Sequence, residues 1–175
     1  MPKTRPPSRA SSPGPSVIVR PIDAASSDEI ELVATRMRLT LIEVLGEARG
    51  ATMYTLDWLR DRVRFHLDPS RSAGAVFVAD IDRAIVGHTI VRVDADDAGA
   101  PIGLFSTTSV DPGARGRGVA SALLDEGERW MRARSLSVFY TYTSTTNVKL
   151  IRLFEKRGYA IVDVRGEMLR LAQRP

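Results

Sequence analysis

The sequence runs to 175 residues, 43% hydrophobic and 26% charged, which is the composition of a globular protein long enough to bury its own core. It has no cysteine and only two histidines, His66 and His88, so disulfides, thiolate metal clusters and a cysteine nucleophile are excluded and no metal site is expected. The net charge of +4 is uneven: residues 1–16 carry Lys3, Arg5 and Arg9 and no acid, leaving 22 basic against 21 acidic side chains in the rest. So even a balance predicts no nucleic-acid partner.

Residues 1–16 hold five of the ten prolines and four serines. They read as a disordered basic arm, because they offer too little apolar surface to offset the entropy of ordering. The arm lacks the apolar stretch of a secretory leader, and no run of 18 apolar residues occurs further on. A membrane span is therefore not expected, and a cytoplasmic setting is. Residues 17–175 are expected to form one domain.

Val17–Val19 predicts a short strand stopped by Arg20-Pro21. Ser26 and Glu29 have capping-box spacing, and Ile30, Val33, Met37, Leu41 and Val44 follow at helical intervals up to Gly46 and Gly50. Leu56, Leu59, Val63 and Leu67 mark a second helix, ended by Asp68-Pro69. Ala75–Ala79 and Ala84–Val93 form a hairpin pattern around Asp80–Arg83, and a third strand, Ile102–Val110, follows the polar turn Asp94–Ala100. A glycine-rich loop, Asp111–Gly118, opens a helix with Val119, Leu123, Leu124, Gly127, Trp130 and Met131 on one stripe. Strand Ser137–Ser144, helix Asn147–Arg157 with its stop at Gly158, and strands Tyr159–Val164 and Met168–Leu171 complete the chain. The order β-α-α-β-β-β-α-β-α-β-β is mixed α/β, antiparallel first and with crossover helices later.

The loop is where chemistry is legible. A strand that runs into a glycine-rich turn and then a helix gathers unpaired backbone N–H groups at the positive end of a helix dipole. Anions, phosphates above all, bind in such a place. Gly116 and Gly118 allow close backbone approach, and Arg115 and Arg117 add charge. The loop lacks the Gly-Lys-Ser/Thr ending of a Walker loop and the third glycine of a dinucleotide fingerprint.

Arg115-x-x-Gly118-x-Ala120 resembles the Arg/Gln-x-x-Gly-x-Gly/Ala signature of the GNAT family of N-acetyltransferases. A second element, Asn147 through Leu153-Phe154 to Gly158-Tyr159, resembles the family's Asn-x5-Leu-Tyr-x3-Gly-Phe. The two motifs and the strand between them span 102 to about 164. The resemblance implies a GNAT-like α/β fold, a mixed and mostly antiparallel splayed sheet flanked by helices. It implies transfer of an acetyl group from acetyl-CoA, without a metal, directly to a primary amine on a small molecule or peptide. Backbone N–H groups of Arg115, Gly116, Arg117, Gly118, Val119 and Ala120, with Ser121, would hold the CoA pyrophosphate. The strand end Ser109–Val110 would pair with the pantetheine arm and offer an oxyanion donor, Asn147 would contact the arm or cap its helix, and Phe154 would pack against the arm. A homodimer is also compatible with the family.

The sequence departs from the pattern at Phe154, which stands where the family has a proton-donating tyrosine. Tyr140 and Tyr142 are alternative donors, or else cross-strand packing residues. No general base is assigned: Ile102–Val110 has no carboxylate, and Glu43 and Glu47 either attract a cationic amine or form a solvated helix face. His88 is expected in the core, and His66 near a helix end is expected to complement the dipole. Two other readings follow from the same residues: a non-catalytic acyl-CoA-binding or sensing module of the same fold, and a nucleotide-phosphate binder.

Overall fold

The computed structural model describes residues 16–173. Residues 1–15 of the expected arm therefore lie outside the described residues. Strands β1 (Ile18–Pro21), β2 (Gly74–Ile81), β3 (Ala84–Ala95), β4 (Pro101–Val110), β5 (Phe139–Ser144), β6 (Ala160–Arg165) and β7 (Met168–Gln173) form one sheet in the order β1-β2-β3-β4-β5-β7-β6. Every neighbouring pair is antiparallel except β4–β5. The helices are α1 (Ser27–Leu45), α2 (Glu47–Gly50), α3 (Leu56–Leu67), α4 (Val119–Arg132) and α5 (Val148–Glu155). The expected mixed, mostly antiparallel sheet flanked by helices is observed.

Each sheet face has its own core. On one face Ile30 and Val33 of α1 and Val63 of α3 pack on Val76, Val78 and Ile90. On the other, Val119, Leu123, Leu124 and Met131 of α4 pack on Phe77, Val91 and Phe105. Gly127 permits the second contact, since a Cβ there would lie 2.4 Å from Cε1 of Phe105.

Local details differ from expectation for identifiable reasons. Ser26 caps α1 by accepting from the Glu29 N–H at 3.2 Å. The Glu29 carboxylate does not close the box on Ser26; it accepts from the Asp23 N–H at 2.9 Å and pairs with Arg20 at 2.8 Å. The hairpin turn is tighter than Asp80–Arg83: pairing continues to Ile81↔Ala84, leaving Asp82 and Arg83 at φ of +50° and +66°. That is a two-residue turn built without glycine, so the usual Asn-Gly signal is missing.

Both histidines are buried, at 1% exposure for His66 and 0% for His88. His66 is a correction to the dipole reading. Burial, with Arg62 and Arg92 nearby, pushes its pKa down to about 4, so it carries no charge at neutral pH. Burial and the Arg36 charge push His88 down to about 3, and neither of its ring nitrogens has a hydrogen-bond partner among the described residues. The unfolded chain takes up these protons near the ordinary value of 6.5, the native chain only near 4 and 3. Between those values the unfolded state binds more protons, so this stabilisation is complete above pH 6.5 and drains away as pH falls towards 4. His88→Leu removes one of the two uptakes and an unsatisfied buried ring. It is expected to raise the midpoint of thermal unfolding at pH 5 and to flatten the acid limb between pH 6.5 and 4. Thermal melts over that range check this; an unaltered acid limb in the variant would contradict it.

Candidate active site

The sheet opens between β4 and β5. The two strands pair only at Gly103↔Phe139, Leu104↔Tyr140 and Phe105↔Thr141. Beyond that point the strands diverge, and Ser106–Val110 are all partly exposed. The break coincides with a bulge. On β3, Ile90 faces Thr107 and Val91 faces Phe105, so Ser106 is the extra residue on β4. A bulge bends its strand, which accounts for the divergence. Asp111 N–H bonds to the Val86 carbonyl at 2.8 Å. By the alternation of an antiparallel ladder, the N–H groups of Val110 and Thr108 turn away from β3 towards the open edge.

The loop follows directly. A short 3₁₀ turn, Pro112–Ala114, leads to Gly116 at φ +74° and Gly118 at φ +81°. Gly118 is the N-cap of α4 and supplies no side-chain cap. Among the described residues, none of the backbone N–H groups from Gly116 to Ser121 bonds to a protein acceptor. Six consecutive donors at the start of a fourteen-residue helix form a nest for an anion. The Val119 side chain is buried, so only its N–H serves there. Arg117 is exposed and makes no ion pair among the described residues.

Arg115 is differently placed. Its N–H bonds to the Pro112 carbonyl at 3.4 Å, and its guanidinium grips both carboxylate oxygens of Glu43 at 2.9 and 2.6 Å. Glu43 also accepts from Lys149 of α5 at 2.8 Å. These cations hold the Glu43 carboxyl down at about 2. Glu43 is on the exposed face of α1, as one of the two readings expected, but it is ion-paired there and ties α1 to the loop and to α5. A second tie starts the loop. Arg36, with its side chain 8% exposed, grips both oxygens of Asp111 at 2.7 Å and also donates to the Ile85 carbonyl. Sequence reading missed Arg36, because a lone arginine on a helical stripe gives no sign of its partner.

Asn147 caps α5: its Oδ1 accepts from the Leu150 N–H at 3.3 Å, and its Nδ2 donates to Thr143 Oγ1 at 3.0 Å. Both ends of the amide are engaged. Phe154 is a correction to the expected ligand contact. It is 0% exposed and lies in the core between Phe105 and Tyr159, with ring centroids 5.5 and 4.8 Å away. Tyr140 is buried with Ile102, Leu104 and Ala172, as cross-strand packing predicts, and Tyr142 faces solvent beside Arg170. Glu47 is exposed on the short α2.

A cleft of about 230 Å³ lies on the α1–α3 side of the bulge. Its apolar wall includes Met37, Leu41, Leu59 and Ile90, and Ser106 and Thr107 of β4 reach it from the sheet. Tyr54 and Trp58 stack at 4.1 Å and line its outer part. No described group of three or more histidines and acids is placed to hold a metal.

Residues 40–159 match the model of the acetyltransferase (GNAT) family. The chain belongs to that family. Its curated relatives include mycothiol acetyltransferases from Thermobispora bispora, 32% identical over 103 residues, and Propionibacterium freudenreichii, 32% identical over 90 residues. These matches cover 58% and 51% of this chain but only 35% and 28% of the relatives' own length. Among solved structures, the PaiA N-acetyltransferase of Thermoplasma acidophilum in complex with coenzyme A superposes with a TM-score of 0.73 at 14% identity, covering 91% of this chain and 99% of that one. The ribosomal-protein-alanine N-acetyltransferase of Brucella melitensis gives 0.70 at 17% identity, covering 90% and 99%. These likenesses show the GNAT fold. In this GNAT domain no described helix is long and apolar enough to cross a membrane.

Proposed function

We propose that this GNAT domain transfers an acetyl group from acetyl-CoA directly to a primary amine. The observation that carries the reading is the run of six free N–H groups beside an open strand edge. Gly116–Ser121 donate to the pyrophosphate, and Arg117 adds its charge from the rim. The open edge of β4, from Ser109–Val110 back to the bulge, takes the amide-bearing pantetheine arm as an added strand would be taken. The Val110 and Thr108 N–H groups, already turned to that edge, polarise the thioester carbonyl as its oxygen gains charge. Asn147 keeps the start of α5 beside the opening.

The amine enters from the cleft on the other side of the bulge. No carboxylate lines that cleft. The amine gives its proton to water, helped by the charge of Arg62, which lines the cleft and disfavours an ammonium. The leaving thiolate needs no enzymic acid, since a thiol of pKa about 8.5 is a competent leaving group. This route fits the placement of Phe154 in the core.

The test is calorimetry with acetyl-CoA together with a thiol-release assay over a panel of primary amines. Saturable binding and amine-dependent thiol release are expected. Tight binding with no turnover on any amine would replace this reading with the non-catalytic acyl-CoA-binding one. Protection by ATP but not by CoA would replace it with a nucleotide site.

A further inference from the structure

The cleft beside the bulge is apolar over most of its wall but carries one unusual charge. Arg62 of α3 lines it and has no carboxylate partner among the described residues. Its guanidinium carbon lies 4.8 Å from the centroid of the Phe65 ring. Three other arginines of the region differ: Arg60 is paired with Glu31, Arg71 with Asp61 and Arg92 with Asp94. Burial, and after it the Arg92 charge, press the Arg62 pKa downward, and Tyr54 and Asp94 offset this only in part, so the guanidinium is partly desolvated without a direct carboxylate partner among the described residues.

One further polar group of the cleft lacks a partner among the described residues: Ser106 Oγ, on the bulge, is buried with no hydrogen bond. A partly desolvated cation and an unsatisfied neutral group cost stability unless a ligand engages them. A planar guanidinium fork matches a carboxylate bidentately. The rest of the wall, Met37, Leu41, Leu59 and Ile90 with the Tyr54–Trp58 stack, matches an apolar or aromatic body. A volume of about 230 Å³ suits a small acceptor and falls below the roughly 300–1,000 Å³ of drug-sized sites.

We infer that the acceptor is a small amine that also bears a carboxylate, with an apolar body: the chemistry of an apolar or aromatic α-amino acid. The inference rests on the acetyl-transfer reading and names its substrate class. Arg62 takes the carboxylate. The apolar wall and the aromatic stack take the side chain. The amine then points at the bulge, where Ser106 Oγ is free to accept from it. In the transfer itself the amine nitrogen forms the new bond to the acetyl carbon, the C–S bond breaks, and the amine's proton leaves to water. Polyamines and other multiply cationic acceptors are disfavoured, because Arg62 repels them.

The test compares three acceptors that share one side chain: phenylalanine, phenylalaninamide and 2-phenylethylamine. Thiol release gives kcat/KM for each, on the wild-type chain and on Arg62→Gln and Arg62→Lys. The wild type is expected to favour the acid over the amide by about 10- to 100-fold, the range of a charge-assisted hydrogen-bonded pair. In Arg62→Gln the preference is expected to fall below about threefold, with Arg62→Lys restoring part of it. Acetyl-CoA affinity measured by calorimetry is expected to be the same in all three proteins. Equal or better turnover of the amide or the amine by the wild type would overturn the inference while leaving acetyl transfer standing. So would an acid preference that survives in Arg62→Gln. Absence of acetyl-CoA binding to the wild type would overturn both.

Discussion

Gly118→Asp is expected to abolish acetyl-CoA binding while leaving the fold intact. The position has φ +81° and no heavy atom within 4 Å of where a Cβ would stand, so a side chain is sterically free. The left-handed conformation costs a non-glycine residue about 1 kcal/mol. The new carboxylate occupies the donors meant for the pyrophosphate and repels it. A like charge a few ångströms away, partly screened, is worth about 3 kcal/mol, or about 100-fold in affinity. Gly118→Ala is the control, with a similar backbone cost and no charge. Calorimetry should show loss of binding in the aspartate variant and a much smaller loss in the alanine variant, with thermal midpoints within a few degrees of each other. Full affinity in Gly118→Asp would remove the loop from the pyrophosphate site.

Breaking the Arg36–Asp111 pair is expected to cost very different amounts from its two ends. The Arg36 side chain is 8% exposed and that of Asp111 41%. Asp111→Ala strands a buried guanidinium, one of whose nitrogens, Nη1, already lacks a partner. That is expected to cost about 2–4 kcal/mol, somewhat reduced because Asp111 is itself half in water. Arg36→Met removes the buried charge and fills its path with an apolar chain, while water solvates the remaining carboxylate; the expected cost is under about 1 kcal/mol. Both variants release the start of the loop, so both are expected to weaken acetyl-CoA binding. Urea melts combined with calorimetry check this. Equal destabilisation by the two changes would show that the pair is not a buried charge held by its partner.

The loop was legible because its signal is local and chemical. Glycines at 116 and 118 between a strand and an amphipathic helix suit an anion nest or a tight structural turn, and the stripe of Val119, Leu123, Leu124 and Met131 marks the helix that follows. The elements were legible for the same reason, with edges displaced by a residue or two where pairing outran hydrophobicity, as at Ile81↔Ala84. What was not legible is what joins distant parts. Arg36 meets Asp111 across 75 positions, Arg115 meets Glu43 across 72, and Lys149 meets Glu43 across 106. No periodicity records such pairs, and each charge taken alone reads as solvated surface. The bulge at Ser106 was hidden too, because one extra residue in a run of serines and threonines disturbs no pattern. The burial of Phe154 was a matter of which way α5 faces. The motif fixed its place in the sequence but not that its ring would turn to Phe105 and Tyr159.

Helix α1 serves three masters. Arg36 holds the first residue of the glycine-rich loop, Glu43 holds Arg115 within it and Lys149 beyond it, and Met37 and Leu41, on the intervening turns, line the cleft beside the bulge. On the acetyl-transfer reading, a shift of α1 made at one site is expected to be felt at the other, and thermodynamic linkage makes the effect mutual: whatever the acceptor does to the affinity for acetyl-CoA, acetyl-CoA does in equal measure to the affinity for the acceptor.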